Sequence, residues 1–211
     1  MPLLVKKTQD FELSAKDGAA MWNKTGWTYL KPVGGYLRYE TRFKMLYSDK
    51  GMYFRIFCED SKISCTGLRD FGKLYEEDVV EIFLKPDMRQ NMYFEYELSP
   101  ANAELPLMVA NTKGKYHGWL PFDYARDRIC KHECNIIDVN GANCKGWECR
   151  IFIPFELLEG LIAEPPESDK YWFANVCRID YDSVEPTRWS WCDEAGIEFH
   201  NTFLYDRIVF E

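Results

Sequence analysis

The chain is poor in the features that most quickly assign a function. No apolar run approaches the length of a membrane-spanning helix, so no membrane span is expected. Positive charge is not in surplus: 26 Lys and Arg face 34 Asp and Glu, for a net charge of −8, which argues against nucleic acid as the partner. Histidines number three, His117, His132 and His200, which is little for a haem or redox module; a Soret band would decide that reading. No serine elbow or Cys–His signature marks a hydrolase. None of the eight cysteines forms a Cys-x-x-Cys knuckle. Cys130, His132 and Cys134, with Cys144 nearby, are the one place to look for zinc. Reduced thiols account for the cysteines without a metal, since Cys58, Cys149 and Cys177 lie in apolar, strand-like segments. The opening Met1-Pro2-Leu3-Leu4-Val5-Lys6-Lys7 is too short for a signal-peptide core. As written, the expectation is a cytoplasmic protein, or one whose export signal has been removed.

Aromatic residues are abundant: 7 Trp, 13 Tyr and 14 Phe among 211 residues. Rings pack well on pleated sheets, and helical periodicity is scarce. One short helix is expected over residues 17–24 and another turn or two over Pro154–Leu158. Elsewhere, short β-prone runs alternate with turn residues. Thr41 to Tyr47 and Met52 to Glu59 form a hairpin across Ser48-Asp49-Lys50-Gly51; Asp78 to Lys85 and Asn91 to Leu98 form another across Pro86-Asp87. Trp147 to Ile153, Tyr171 to Ile179 and Ile208 to Phe210 add further strands. With no repeat or linker in view, the expectation is an all-β chain: one antiparallel β-sandwich domain over residues 1–211, with one or two short helices.

The second hairpin carries the candidate chemistry. Side chains alternate across a strand, so Val80, Ile82 and Leu84 share a face with Phe94, Tyr96 and Leu98 and form core. The other face then gathers Glu81, Glu95 and Glu97 beside Phe83 and Tyr93. Three carboxylates this close repel unless an arginine, a bound cation or the hydroxyls of a ligand compensate them. Arg55 and Arg178 lie in neighbouring strand segments. Carboxylates beside aromatic rings suit a sugar, whose C–H faces stack on rings and whose hydroxyls donate to carboxylates. From patterning alone, a solvated outer sheet face is the preferred account.

Several blocks, in order, resemble family 9 carbohydrate-binding modules and the related DOMON-like domains. They are Lys44–Phe54 with Cys58-Glu59-Asp60, Tyr75–Phe83, Tyr93–Pro100, Gly146-Trp147 with Ile151–Phe155, Asn175–Arg178, and Glu185-Pro186 with Ser190-Trp191 and Phe199-His200. The resemblance implies an immunoglobulin-like or jelly-roll-like sandwich that binds mono- or oligosaccharides without catalysis, often at chain ends, in the setting of polysaccharide degradation. It implies a two-ring clamp at Tyr75, where the family usually has Trp, and near Phe199. Glu81, Glu97, Asn175 and Arg178 would supply polar contacts, with Trp191 and His200 nearby. Trp189 lies close enough to take over as a ring. The binding needs no cofactor. Structural calcium is implied, for which Glu59, Asp60, Asp70 and Asp78 could supply oxygens, although no calcium-loop spacing is visible. The alternative is a glycoside hydrolase, or an accessory subunit of one, using Glu81 and Glu97 as its carboxylate pair.

Overall fold

Among the described residues, period-two burial organises the chain into fourteen strands. They are β1 (Leu3–Lys7), β2 (Thr28–Tyr29), β3 (Lys31–Gly34), β4 (Thr41–Tyr47), β5 (Gly51–Cys58), β6 (Val79–Lys85), β7 (Met92–Leu98), β8 (Glu104–Thr112), β9 (Lys115–Pro121), β10 (Lys131–Asp138), β11 (Cys144–Pro154), β12 (Tyr171–Asp180), β13 (Thr187–Ser190) and β14 (Asp206–Phe210). The computed structural model describes residues 1–14, 20–67, 69–122, 130–138, 144–192, 194 and 196–211. Among them no helix is long and apolar enough to cross a membrane.

The strands follow one hydrogen-bonded path, β10-β11-β5-β4-β1-β14-β12-β6-β7-β8-β9, with β2 on β4, β13 on β12 and β3 on β13. The path curls on itself at β1. Leu3 to Val5 pair parallel with β14, while Lys6 and Lys7 pair parallel with β4. One short strand thus joins the two layers of a β-sandwich that is otherwise antiparallel. The layers meet as alternation requires. Phe43, Met45, Phe54 and Ile56 from one layer pack with Val80, Ile82, Leu84, Phe94, Tyr96 and Leu98 from the other, all essentially inaccessible. Burial on this scale supplies the main driving force for the fold.

Both expected hairpins form, with Ser48 N–H donating to Gly51 O at 2.9 Å across the first turn. The helix expected over 17–24 is helical at residues 20–22, and residues 15–19 lie outside the described set. The Pro154–Leu158 segment is a single 3-10 turn at Phe155–Leu158. Cys130 and Cys134 pack with the main core, and His132 Nε2 lies 3.3 Å from Glu104 Oε2. The Cys144 side chain is outside the described residues.

Gly146 shows where the two edges of β5 and β11 need a bare backbone. Its φ is +140°, and a Cβ there would collide with the Cys58 carbonyl. A Gly146→Ala variant should lose about 2 kcal/mol of stability in urea unfolding, from steric conflict added to an unfavourable φ.

Candidate functional site

Cross-strand register builds the site on the outer face of the β6–β9 layer. Glu81 on β6 sits opposite Glu97 on β7, and Phe83 opposite Glu95. Val109 and Leu107 of β8 continue the same face. On β9, Asn111 pairs with Tyr116 and Ala110 with Gly118, so His117 is an extra, bulged residue. The bulge lets Tyr116 and Trp119, three apart in sequence, project to one side. Gly118, at φ +137°, absorbs the distortion.

This face is not solvated, contrary to the account that patterning alone prefers. The 3-10 turn at Leu74–Glu76, strand β9 and residues 196–201 rise around it and enclose a cleft of about 880 Å³. Tyr75 and Trp119 stand on one wall, their rings 6.4 Å apart at 70°. Tyr181 Oη holds the Tyr75 turn by donating to its carbonyl at 2.7 Å. Also lining the cleft, the His200 ring lies 4.7 Å from Tyr116, and its Nδ1 is 2.5 Å from Tyr93 Oη. Burial lowers the His200 pKa to about 4, so the imidazole is neutral at physiological pH.

The floor is acidic. Glu81, Glu95 and Glu97 are 4%, 2% and 1% exposed, and each offers an oxygen within 4.8 Å of the others. Burial raises the Glu81 pKa to about 8, with Arg188 pulling it back in part. Glu95 and Glu97 are also raised, well above the usual carboxylate range, first by burial and then by the negative charge of their neighbours. The Oε2 atoms of Glu95 and Glu97 have no hydrogen-bond partner among the described residues. An unpaired buried carboxylate is costly, so in the free protein the cluster holds protons. Chemically, the cleft combines flat apolar walls with a floor of oxygen acceptors.

Of the residues expected from sequence, Tyr75, Glu81, Glu97, Phe199 and His200 converge here. Asn175, Arg178 and Trp191 do not line the cleft. Asn175 is spent on the fold: its Nδ2 donates to Ser190 Oγ at 2.9 Å, and its Oδ1 accepts from the Val176 and Cys192 N–H groups. Arg178 points to the opposite face of β12, where it meets Asp60 and Asp180. Trp191 packs edge-on against Phe43, and Trp189 is buried with its Nε1 donating to Tyr39 O. Arg55 donates through both Nε and Nη2 to one oxygen, Glu148 Oε2, in the other layer, so neither expected arginine compensates the glutamates. The four acidic residues considered for calcium do not form a single group; Asp60 gathers instead with Asp180 and Asp182, each offering an oxygen within 4.8 Å of the others. Glu59 accepts from Glu40 N–H, Asp70 from Glu104 N–H and Asp78 from Ser64 and Tyr181 N–H; Asp60 already holds Arg178. Trp119, Tyr116, Tyr181 and Arg188 escaped the sequence reading.

Residues 16–106, a little under half the chain, match the family model described as carbohydrate family 9 binding domain-like. No curated protein matches. Among solved structures, a Bacteroides uniformis protein provisionally assigned carbohydrate binding aligns over 100% of this chain and 99% of its own, at 17% identity and a TM-score of 0.75. A family 9 carbohydrate-binding module from Caldicellulosiruptor kristjanssonii, solved with cellotriose, aligns over 100% and 94% at 14% identity and a TM-score of 0.70. The glucose complex of such a module from the same organism aligns over 99% and 95% at 13% and 0.68. Residues 16–106 thus carry the sequence pattern of the carbohydrate family 9 binding domains, and the chain as a whole is built on the fold of their solved members.

Proposed function

We propose that the protein is a non-catalytic carbohydrate-binding domain that holds a mono- or oligosaccharide in the cleft beside Tyr75 and Trp119, with Glu81 and its neighbours receiving hydrogen bonds from below. The observation that carries this reading is the meeting, in one cleft, of partly buried rings from two separate elements with carboxyl oxygens that lack hydrogen-bond donors among the described residues. Rings bind the C–H face of a pyranose, and buried acceptors select a ligand rich in donors. The relatives solved with cellotriose and glucose support it. Hydrolysis is the weaker reading. Glycosidases keep one carboxyl of the pair ionised, whereas here burial and mutual repulsion raise all three groups.

Calorimetric titration of the protein with mono- and oligosaccharides tests the reading. Trp119→Ala should weaken a bound sugar by about tenfold, the order expected for one lost ring contact. Glu81→Ala should weaken it as well. A wild-type protein that takes up no sugar ends the proposal.

A further inference from the structure

The floor of the cleft asks for more than hydroxyls. Three carboxyls share one small volume, and no Lys or Arg side chain among the described residues comes within ion-pair distance of any of them. Arg188 and Lys115 line the cleft, yet Arg188 acts on Glu81 only through space. Two oxygens, Glu95 Oε2 and Glu97 Oε2, are buried, have no hydrogen-bond partner among the described residues and belong to residues that line the cavity; the His200 imidazole, neutral at physiological pH, stands 3.7 Å from Glu95 Oε2, beyond hydrogen-bond reach. A neutral sugar hydroxyl could donate to one of them but leaves the crowding of acids uncompensated. A single ammonium satisfies the whole set: it has three free N–H donors when bonded to carbon. Bonds of about 2.8 Å to a tetrahedral nitrogen place acceptors about 4.6 Å apart, which agrees with oxygens gathered within 4.8 Å.

We propose that the ligand is an amino sugar, a hexosamine with a free amine or an oligomer of it, whose ammonium is received by Glu81, Glu95 and Glu97 as they give up to solvent the protons they hold in the free protein, while its ring lies against Tyr75 and Trp119. This rests on the carbohydrate-binding reading and names the substrate class within it. The rims fit the same ligand, because aromatic faces attract a cation as well as a C–H surface. Acetylating the amine removes the charge and two of the three donors, so the site discriminates strongly between the free and the acetylated sugar.

The test is calorimetry of the full chain with glucosamine, glucose and N-acetylglucosamine, and with the short oligomers of each, in calcium-free buffer and again with calcium chloride. Glucosamine or its oligomer should bind about tenfold or more tighter than its glucose and N-acetylated counterparts, as charge-assisted bonds require. In the Glu95→Gln/Glu97→Gln double variant that preference should disappear; a Glu81→Gln variant serves the same purpose should the double variant not fold. Glucose binding as tightly as glucosamine overturns the amino-sugar proposal and leaves carbohydrate binding standing. Failure of every sugar overturns both. Calcium that binds with loss on Glu95→Gln, while glucosamine shows no preference, assigns the cluster to a metal and overturns the proposal.

Discussion

Replacing Arg178 with methionine should remove about 3–5 kcal/mol of stability, a large part of what a domain of this size possesses. The guanidinium is completely buried at the edge of the sandwich core. It bonds Asp180 at 2.5 Å on its own strand and Asp60 at 3.1 Å just beyond β5. It also donates to Thr41 Oγ1 and to the Glu59 carbonyl, so one side chain ties the β12 layer to the β4–β5 layer. Trp189 and Tyr39 present their rings to it at 4.9 and 5.7 Å. Methionine fills much of the volume but leaves two buried carboxyls without their cation. Burial already pushes Asp60 up to about 7 even with Arg178 present. In the variant, both acids must take protons or stay charged without a partner, and either outcome favours the unfolded chain. Urea unfolding measures the loss. Arg178→Lys keeps a charge but not the fork, so it should fall between the two. A methionine variant within 1 kcal/mol of the wild type would show that packing, not pairing, holds this edge.

Arg178 also shows how far sequence carried the argument. Strand alternation correctly separates the Val80 set from the Glu81 set, because a period of two follows directly from backbone geometry. The same rule places Arg178 one residue from Cys177 and therefore on the opposite face from Glu81, since Cys177 and Glu81 are register partners. The family pattern groups these residues by order along the chain, and order does not encode face. Trp119 was hidden for a different reason. A bulge at His117 breaks the period, so Tyr116 and Trp119 share a face only once the β8–β9 pairing is known. The Tyr116-His117-Gly118-Trp119 run held the one available signal, a glycine inside a β-prone segment, which marks a bulge. The burial of the glutamate face likewise needed tertiary information. Residues 196–201 come from far along the chain to close the cleft, and nothing local to β6 or β7 announces them.

Stability should fall as pH rises from about 5 to 8, by about 4 kcal/mol for each proton the native state retains across that window. The Glu81 carboxyl titrates near 8 in the fold, against 4.5 ordinarily. Between those values the native group is protonated and the unfolded group is not, so unfolding releases a proton and a higher pH favours it. The stabilisation is therefore complete below the unfolded pKa and lost as pH climbs through the folded one. Glu95 and Glu97 act in the same direction, and Asp78, raised to about 6 by burial, does so over a narrower range. His200 opposes them: its folded pKa of about 4 lies below the usual 6.5, so its contribution is lost as pH drops between those values. One histidine cannot offset the carboxyl cluster, so the maximum of stability should sit near pH 5 to 6 instead of at neutrality. Urea unfolding at pH 5.5, 6.5, 7.5 and 8.5 gives the slope. In Glu81→Gln the amide keeps the shape and cannot ionise, so the slope should shrink by about one proton's worth, 1.4 kcal/mol per pH unit. An unchanged slope in that variant would mean that Glu81 is ionised in the native protein, with its charge met by Arg188 across the cleft.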